Sequence, residues 1–271
     1  RGIPVFSYIP PSAWAWRKGR AKSCAALADE IVAIFPHELP PYEAAGANIS
    51  FVGNPLIDTV RAEMEPEEAC RHFGIEENDV PILLMPGSRC EEIERLLPPM
   101  LGAAEILQTR DPARHFFLPV AGGVDEQRIE EHLAASPVEV TLTHDARYAL
   151  MKAARAAIAA SGTVVMEAAV MGLPAVVLYR MSALSYFVGR LLVDVPRFSL
   201  PNILLGETFE TELLQGAVQP ERIAAAMEPI IADGEARSYV TERLARAVEM
   251  LGEPHAARRV AEKIIALGRR V

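Results

Sequence analysis

From about residue 80 onward, short aliphatic and β-branched runs alternate with stretches whose apolar positions recur at helical spacing. The runs at 82–85, 116–120, 138–142, 156–159 and 175–178 predict five strands. Between and after them, helices are predicted over 90–109, 125–134, 145–153, 164–171 and 182–192. This rhythm is that of a parallel sheet covered on both faces by helices. Upstream, 30–35 and 49–52 read as two more strands, separated by a helical turn that Pro36 opens and that closes near Gly46. The polar stretch 61–79 is the linker candidate, with a short helix at 66–73. After residue 192 the pattern turns to a loop at 197–206 and then to three helical runs. The last is a long Arg-rich amphipathic segment, 236–267, with an apolar stripe of Val240, Leu244, Val248 and Leu251. The expected organisation is therefore the C-terminal part of one Rossmann-like domain plus linker in 1–78, a second Rossmann-like domain in 79–235, and a helical segment, 236–271, packing back on the first.

Composition supports the α/β class. Half of the residues are apolar but only 6% are aromatic, which suits small aliphatic strands under helices better than an aromatic-rich sandwich. A disordered chain and a disulfide-stapled miniprotein are excluded. The net charge of −9 speaks against wholesale nucleic-acid binding, yet residues 1–28 hold five Lys and Arg and no acid. Three widely spaced cysteines, Cys24, Cys70 and Cys90, favour a reducing, cytosolic compartment. No HExxH or paired-aspartate signature is present, so no metal or other cofactor is expected. The apolar stretch 156–179 is broken by Gly162, Glu167, Gly172 and Pro174 and predicts no transmembrane helix. The chain begins at Arg1 rather than Met, and 1–78 is short for a domain, so further sequence is expected upstream.

Candidate chemistry sits where α/β sheets bind ligands, at the carboxyl ends of strands. Gly87, Ser88 and Arg89 follow a strand and open a helix. The glycine allows close backbone approach, and the arginine can donate two hydrogen bonds to a phosphate. A tight turn with a solvated arginine is the alternative. Ser161, Gly162 and Thr163 repeat the design, although either hydroxyl could merely cap the helix. Glu167 is the only charge between Arg155 and Arg180 and suits a ribose diol, unless its helix face is partly exposed. Asn202 could bond a diphosphate or cap a turn, and Gln215 is more often plain surface. Trp14 and Trp16 stand beside Arg17, Lys18 and Arg20, while Tyr186, Phe187 and Arg190 share an amphipathic stretch. Each patch is either core packing or a surface for lipid or a membrane.

Taken in order and spacing, Pro11 to Arg17, Leu84 to Arg89, Ala160 to Thr163 with Glu167, Tyr179 to Met181 and Ser199 to Leu204 resemble the lipid-A-disaccharide synthase family. The resemblance covers nearly the whole chain. It implies a metal-independent GT-B glycosyltransferase, with two Rossmann-like domains and the nucleotide held mainly by the C-terminal one. The implied donor is UDP-2,3-diacylglucosamine, and the implied acceptor is the acylated glucosamine phosphate lipid X. The products would be the β-1,6-linked disaccharide phosphate and UDP. The UDP site would comprise Gly87, Ser88, Arg89, Ser161, Gly162, Thr163, Glu167, Asn202 and Gln215. The resemblance also implies a peripheral position on the cytoplasmic face of the inner membrane of a Gram-negative-type bacterium. The family's general base is expected upstream of Arg1, so this chain is expected to bind nucleotide but to turn over slowly or not at all. Its apolar terminal stripe, if exposed, favours a homo-oligomer. The alternatives are another GT-B enzyme using UDP-N-acetylglucosamine, or a non-catalytic sugar-nucleotide or lipid-binding fragment.

Overall fold

The computed structural model describes residues 3–14, 19–182 and 196–269. The chain divides into two compact units, each with its own parallel sheet. The first gathers the described residues of Arg1–Thr59 and Ala247–Val271, and the second Val60–Ser182 and Arg197–Arg246. Trp16, Arg17, Lys18, Tyr186, Phe187 and Arg190, with most of the helix expected at 182–192, lie outside the described residues.

In the first unit, β1 (Phe6–Tyr8), α1 (Gly19–Leu27), β2 (Glu30–Ala33), α2 (Leu39–Glu43), β3 (Ile49–Phe51) and α3 (Leu56–Thr59) follow one another. The strands pair in parallel in the order β1-β2-β3, with the wholly buried β2 central. Parallel pairing requires helices on the sheet faces. Here Ala13, Ala21 and Tyr42 pack on Ile31, and the Tyr42 hydroxyl donates to the Pro11 carbonyl at 2.7 Å. Neither β1 nor α1 is legible in the sequence.

The second unit runs α4 (Pro66–Phe73), β4 (Val80–Met85), α5 (Cys90–Arg110), β5 (Arg114–Pro119), α6 (Glu126–Ala134), β6 (Val140–Thr143), α7 (Arg147–Ala153), β7 (Ala156–Ala160), α8 (Thr163–Val170) and β8 (Ala175–Tyr179). It continues with α9 (Leu200–Leu205), β9 (Glu212–Leu214), α10 (Pro220–Ile231) and α11 (Glu235–Glu249), the last as far as Arg246. Its six strands are all parallel, in the order β6-β5-β4-β7-β8-β9. This is the doubly wound order, with its reversal between β4 and β7. The two strands at the reversal are the most fully buried of this sheet: every residue of β7 is buried, as are all but the first of β4. Leu83, Phe117, Leu150, Val165 and Val177 belong to one buried cluster.

Three expectations change. The loop at 197–206 contains α9, and a sixth strand, β9, follows it. The terminal segment 236–267 is two helices, α11 and α12 (Ala256–Gly268), because Gly252 and His255 take φ of +80° and +69°, which no helix continues. The Asp58 carboxylate accepts the amides of His255 and Ala256 at 2.7 and 3.0 Å and so starts α12 within the first unit. Finally, the stripe is not exposed: Val240, Leu244 and Leu251 are buried and Val248 is half-buried. Its apolar surface is already covered, which removes the argument for association drawn from it.

A buried carboxyl supplies a pH-dependent stability. Glu210 accepts the Ser199 hydroxyl at 2.8 Å, but burial outweighs this bond and the Ala175 amide and pushes its pKa from 4.5 up to about 8. Between those values the folded chain holds a proton that the unfolded chain has released. The stability present below pH 4.5 is therefore lost as pH rises toward 8, with a slope approaching about 1.4 kcal/mol per pH unit. Urea unfolding of Glu210→Gln between pH 5 and 8 should show a flatter dependence than the parent. Parallel curves would contradict this assignment.

Candidate functional site

The reversal between β4 and β7 leaves a crevice beyond their carboxyl ends, where adjacent crossovers diverge to opposite faces. The crevice measures about 280 Å³, and Gly87, Arg89, Ser161, Thr163, Arg147 and Glu167 are among its lining residues. Seven of the nine residues expected to hold UDP line it, namely Gly87, Ser88, Arg89, Ser161, Gly162, Thr163 and Glu167.

The β4–α5 loop owes its shape to Gly87 and Glu92. Gly87 has φ +104°, and a Cβ there would collide with a Glu92 carboxylate oxygen and lie 3.1 Å from its Cβ. Glu92 occupies the third position of α5. Its Oε2 accepts the amides of Ser88 and Arg89, both at 3.3 Å, and its Oε1 accepts from the Arg89 guanidinium at 2.6 Å. A carboxylate thus occupies the anion position that a helix N-terminus offers. Arg89 begins α5 as its N-cap, and its side chain is 82% exposed, so it can turn to a ligand at little cost. Glu92 is not among the residues expected from the sequence, although a glutamate at the third helical position is a capping signal.

On the β7 side, Gly162 is the N-cap of α8 and no side chain caps the helix. The first amides of α8 thus remain available to an anion. The Ser161 hydroxyl does not cap either, since it donates to the Phe198 carbonyl at 2.8 Å. Glu167 lies one turn into α8, its side chain only 13% exposed, 3.3 Å from Arg147 on α7. Burial raises its pKa, and Arg147 opposes the rise. Arg147 is a further addition to the expected set, because nothing in the sequence separates it from other helix-surface arginines.

Two of the expected residues are employed elsewhere. Asn202 is on α9 rather than in a loop and is fully buried. Its Oδ1 accepts the amides of Phe209 and Glu210, and its Nδ2 donates to the Glu210 carbonyl and, at 2.7 Å, to Glu212. Every polar valence is spent on the α9–β9 connection, which leaves none for a diphosphate in this conformation. Gln215 opens a 3-10 turn after β9, where it accepts from the Met181 amide at 2.7 Å and donates to the Met181 carbonyl at 3.1 Å. In the first unit Trp14 is half-buried, its ring edge-on to His37 at 4.7 Å, while Arg20 is exposed. Among the described residues no cluster of metal ligands forms, and no helix is long and apolar enough to cross a membrane.

Solved structures share this architecture. The chain superposes on UDP-GlcNAc 2-epimerase from Neisseria meningitidis bound to UDP-GlcNAc with a TM-score of 0.67 at 16% identity, covering 97% of this chain and 70% of that one. For the S. aureus MnaA–UDP complex the TM-score is 0.65 at 14% identity, over 97% and 68% of the two chains. The fold is thus of the GT-B type. The sequence profile of the family described as lipid-A-disaccharide synthetase matches residues 2–265. The lipid-A-disaccharide synthase of Syntrophus aciditrophicus is 44% identical over 267 residues, 98% of this chain and 70% of the relative. That of Geobacter metallireducens is 40% identical over 98% and 69%. This chain belongs to the lipid-A-disaccharide synthase family, and is a glycosyltransferase of lipid A disaccharide synthesis.

Proposed function

We propose that this chain transfers the sugar of UDP-2,3-diacylglucosamine to the 6-hydroxyl of 2,3-diacylglucosamine 1-phosphate. In that reaction the acceptor oxygen bonds to the anomeric carbon with inversion and passes its proton to a general base, a role that no residue assigned here fills. The bond to the diphosphate breaks, and its electron pair leaves with UDP. The α8 amides and Arg89 stabilise the charge that develops on the leaving diphosphate, the step at which fixed donors contribute most. The observation that carries the reading is the convergence of Arg89, an uncapped helix N-terminus and the secluded Glu167 on one crevice, in a chain whose relatives bear this activity by name. An epimerase of the same fold, bound to UDP-GlcNAc, supports a UDP-sugar as donor. The test is incubation with both lipid substrates, following disaccharide 1-phosphate and UDP by mass spectrometry. At most slow formation of both is expected, because no residue assigned here supplies the general base. Release of UDP with no disaccharide, or turnover of UDP-GlcNAc supplied in a parallel incubation in place of the acylated donor, would overturn the reading.

In this assignment Glu167 accepts the ribose hydroxyls. Glu167→Gln keeps an acceptor, so its loss of UDP affinity should be smaller than that of Glu167→Ala by roughly the worth of one neutral hydrogen bond, ~0.5–1.5 kcal/mol. Loss of turnover in both variants with unchanged UDP affinity would instead give Glu167 a catalytic role.

The substrates are acylated, and the proposal extends to a peripheral position on the cytoplasmic membrane face. Contact would be made through Trp14 and Arg20 together with Trp16, Arg17, Lys18, Tyr186, Phe187 and Arg190. Binding to anionic phosphatidylglycerol vesicles should be strong at low salt and fall as salt screens exposed charge. No vesicle binding at low salt would remove this part of the proposal.

A further inference from the structure

We propose that Arg147 reads the base of the donor nucleotide and makes the site specific for uracil, an inference that rests on the nucleotide reading above. The order of strand ends along the sheet sets the geometry. The loops after β7 and β4 carry Gly162, Thr163 and Arg89, whereas Arg147 follows β6, at the far edge, with β5 between β6 and β4. Strands lie about 4.8 Å apart, so the ends of β6 and β7 are separated by roughly 14 Å. The Arg147 side chain reaches across that gap from the β6 side to stand 3.3 Å from Glu167, and so borders the ribose position rather than the diphosphate.

A nucleotide is linear, and its middle is anchored. Glu167 lies four residues after Thr163, about 6 Å deeper along α8 at 1.5 Å per residue. With the diphosphate at the start of α8 and the ribose on Glu167, the base comes next. The crevice is also lined by Arg147 and by Pro119, Val120 and Ala121 after β5. The last three offer apolar contact and main-chain groups, and with Arg89 assigned to the diphosphate, Arg147 is the charged donor beside Glu167.

Arg147 is held ready for the task. Its guanidinium lies 4.6 Å over the Tyr148 ring, donates to the Tyr148 hydroxyl at 2.5 Å and stands 3.3 Å from Glu167. The start of α7 is fixed as well, because Glu63 accepts the Ala149 amide at 2.9 Å and Ala146 takes φ +45°. A guanidinium only donates. Uracil presents a carbonyl oxygen at C4, whereas cytosine presents an amino group there, which would face the guanidinium donor to donor. A site built to satisfy one such group discriminates strongly against its replacement.

The test is calorimetric titration of UDP and CDP into the parent protein, Arg147→Ala and Arg147→Lys, with thermal unfolding as a check on folding. The parent should bind UDP at least about tenfold more tightly than CDP, the lower bound for one charged hydrogen bond. Arg147→Ala should bring the two affinities within about threefold, chiefly by weakening UDP, and Arg147→Lys should restore part of the preference. Equal weakening of both nucleotides would mean that Arg147 serves the ribose or phosphates they share, and would overturn the inference. So would unchanged affinities. Failure of the parent to bind either nucleotide would be a different result, because it removes the nucleotide reading itself.

Discussion

Gly87→Val is expected to reduce UDP affinity by about 100-fold or more and to lower the unfolding temperature measurably. Two costs combine. A β-branched residue at φ +104° is a backbone outlier that costs of order 1–3 kcal/mol. In addition, the new Cβ would displace Glu92, the group that organises the Ser88 and Arg89 amides and holds the Arg89 guanidinium. The contrasting substitution is Gly162→Ala. There φ is 169°, extended backbone open to any residue, and an added Cβ meets no protein atom within 4 Å. Stability should be unchanged, so any weakening of UDP reports crowding of the ligand itself. Calorimetry and thermal unfolding of both variants provide the check, and parent-like UDP binding by Gly87→Val would contradict the loop's role.

Arg89→Ala should weaken UDP by about 1.5–3 kcal/mol, the worth of a charged hydrogen bond, or roughly 10- to 150-fold. Stability should barely change. The Arg89–Glu92 pair is solvent-facing, and exposed pairs contribute about 0–1 kcal/mol. A large affinity loss without a stability loss separates Arg89 from Gly87, whose replacement costs both. Unchanged UDP affinity in a folded variant would remove Arg89 from the site.

The strands and loops that make the crevice are legible in the amino-acid sequence because the physics there is local. β4 and β7 are buried on both faces and therefore read as unbroken apolar runs, and the loops after them carry their own glycines. The features that are not legible depend on partners distant along the chain. β1 and β9 are three residues each, Phe-Ser-Tyr and Glu-Leu-Leu, patterns that fit loop or helix as well as strand, and only their parallel neighbours make them strands. Asn202 reads as a loop residue, but its role is set by the Glu210 and Glu212 groups that fold onto it. The terminal stripe reads as exposed because the sequence of a helix does not show what covers it. Arg147 is one of many arginines in the chain, and only the pairing with Glu167 and the place of β6 in the sheet distinguish it.

A crystal structure of the protein with UDP will decide whether the crevice at the β4–β7 reversal holds the donor nucleotide, as proposed. The diphosphate is expected on the first amides of α8 with Arg89 swung toward it, and the ribose hydroxyls on Glu167. UDP ordered elsewhere on the chain, with Arg89 still on Glu92 and Glu167 untouched, would contradict it.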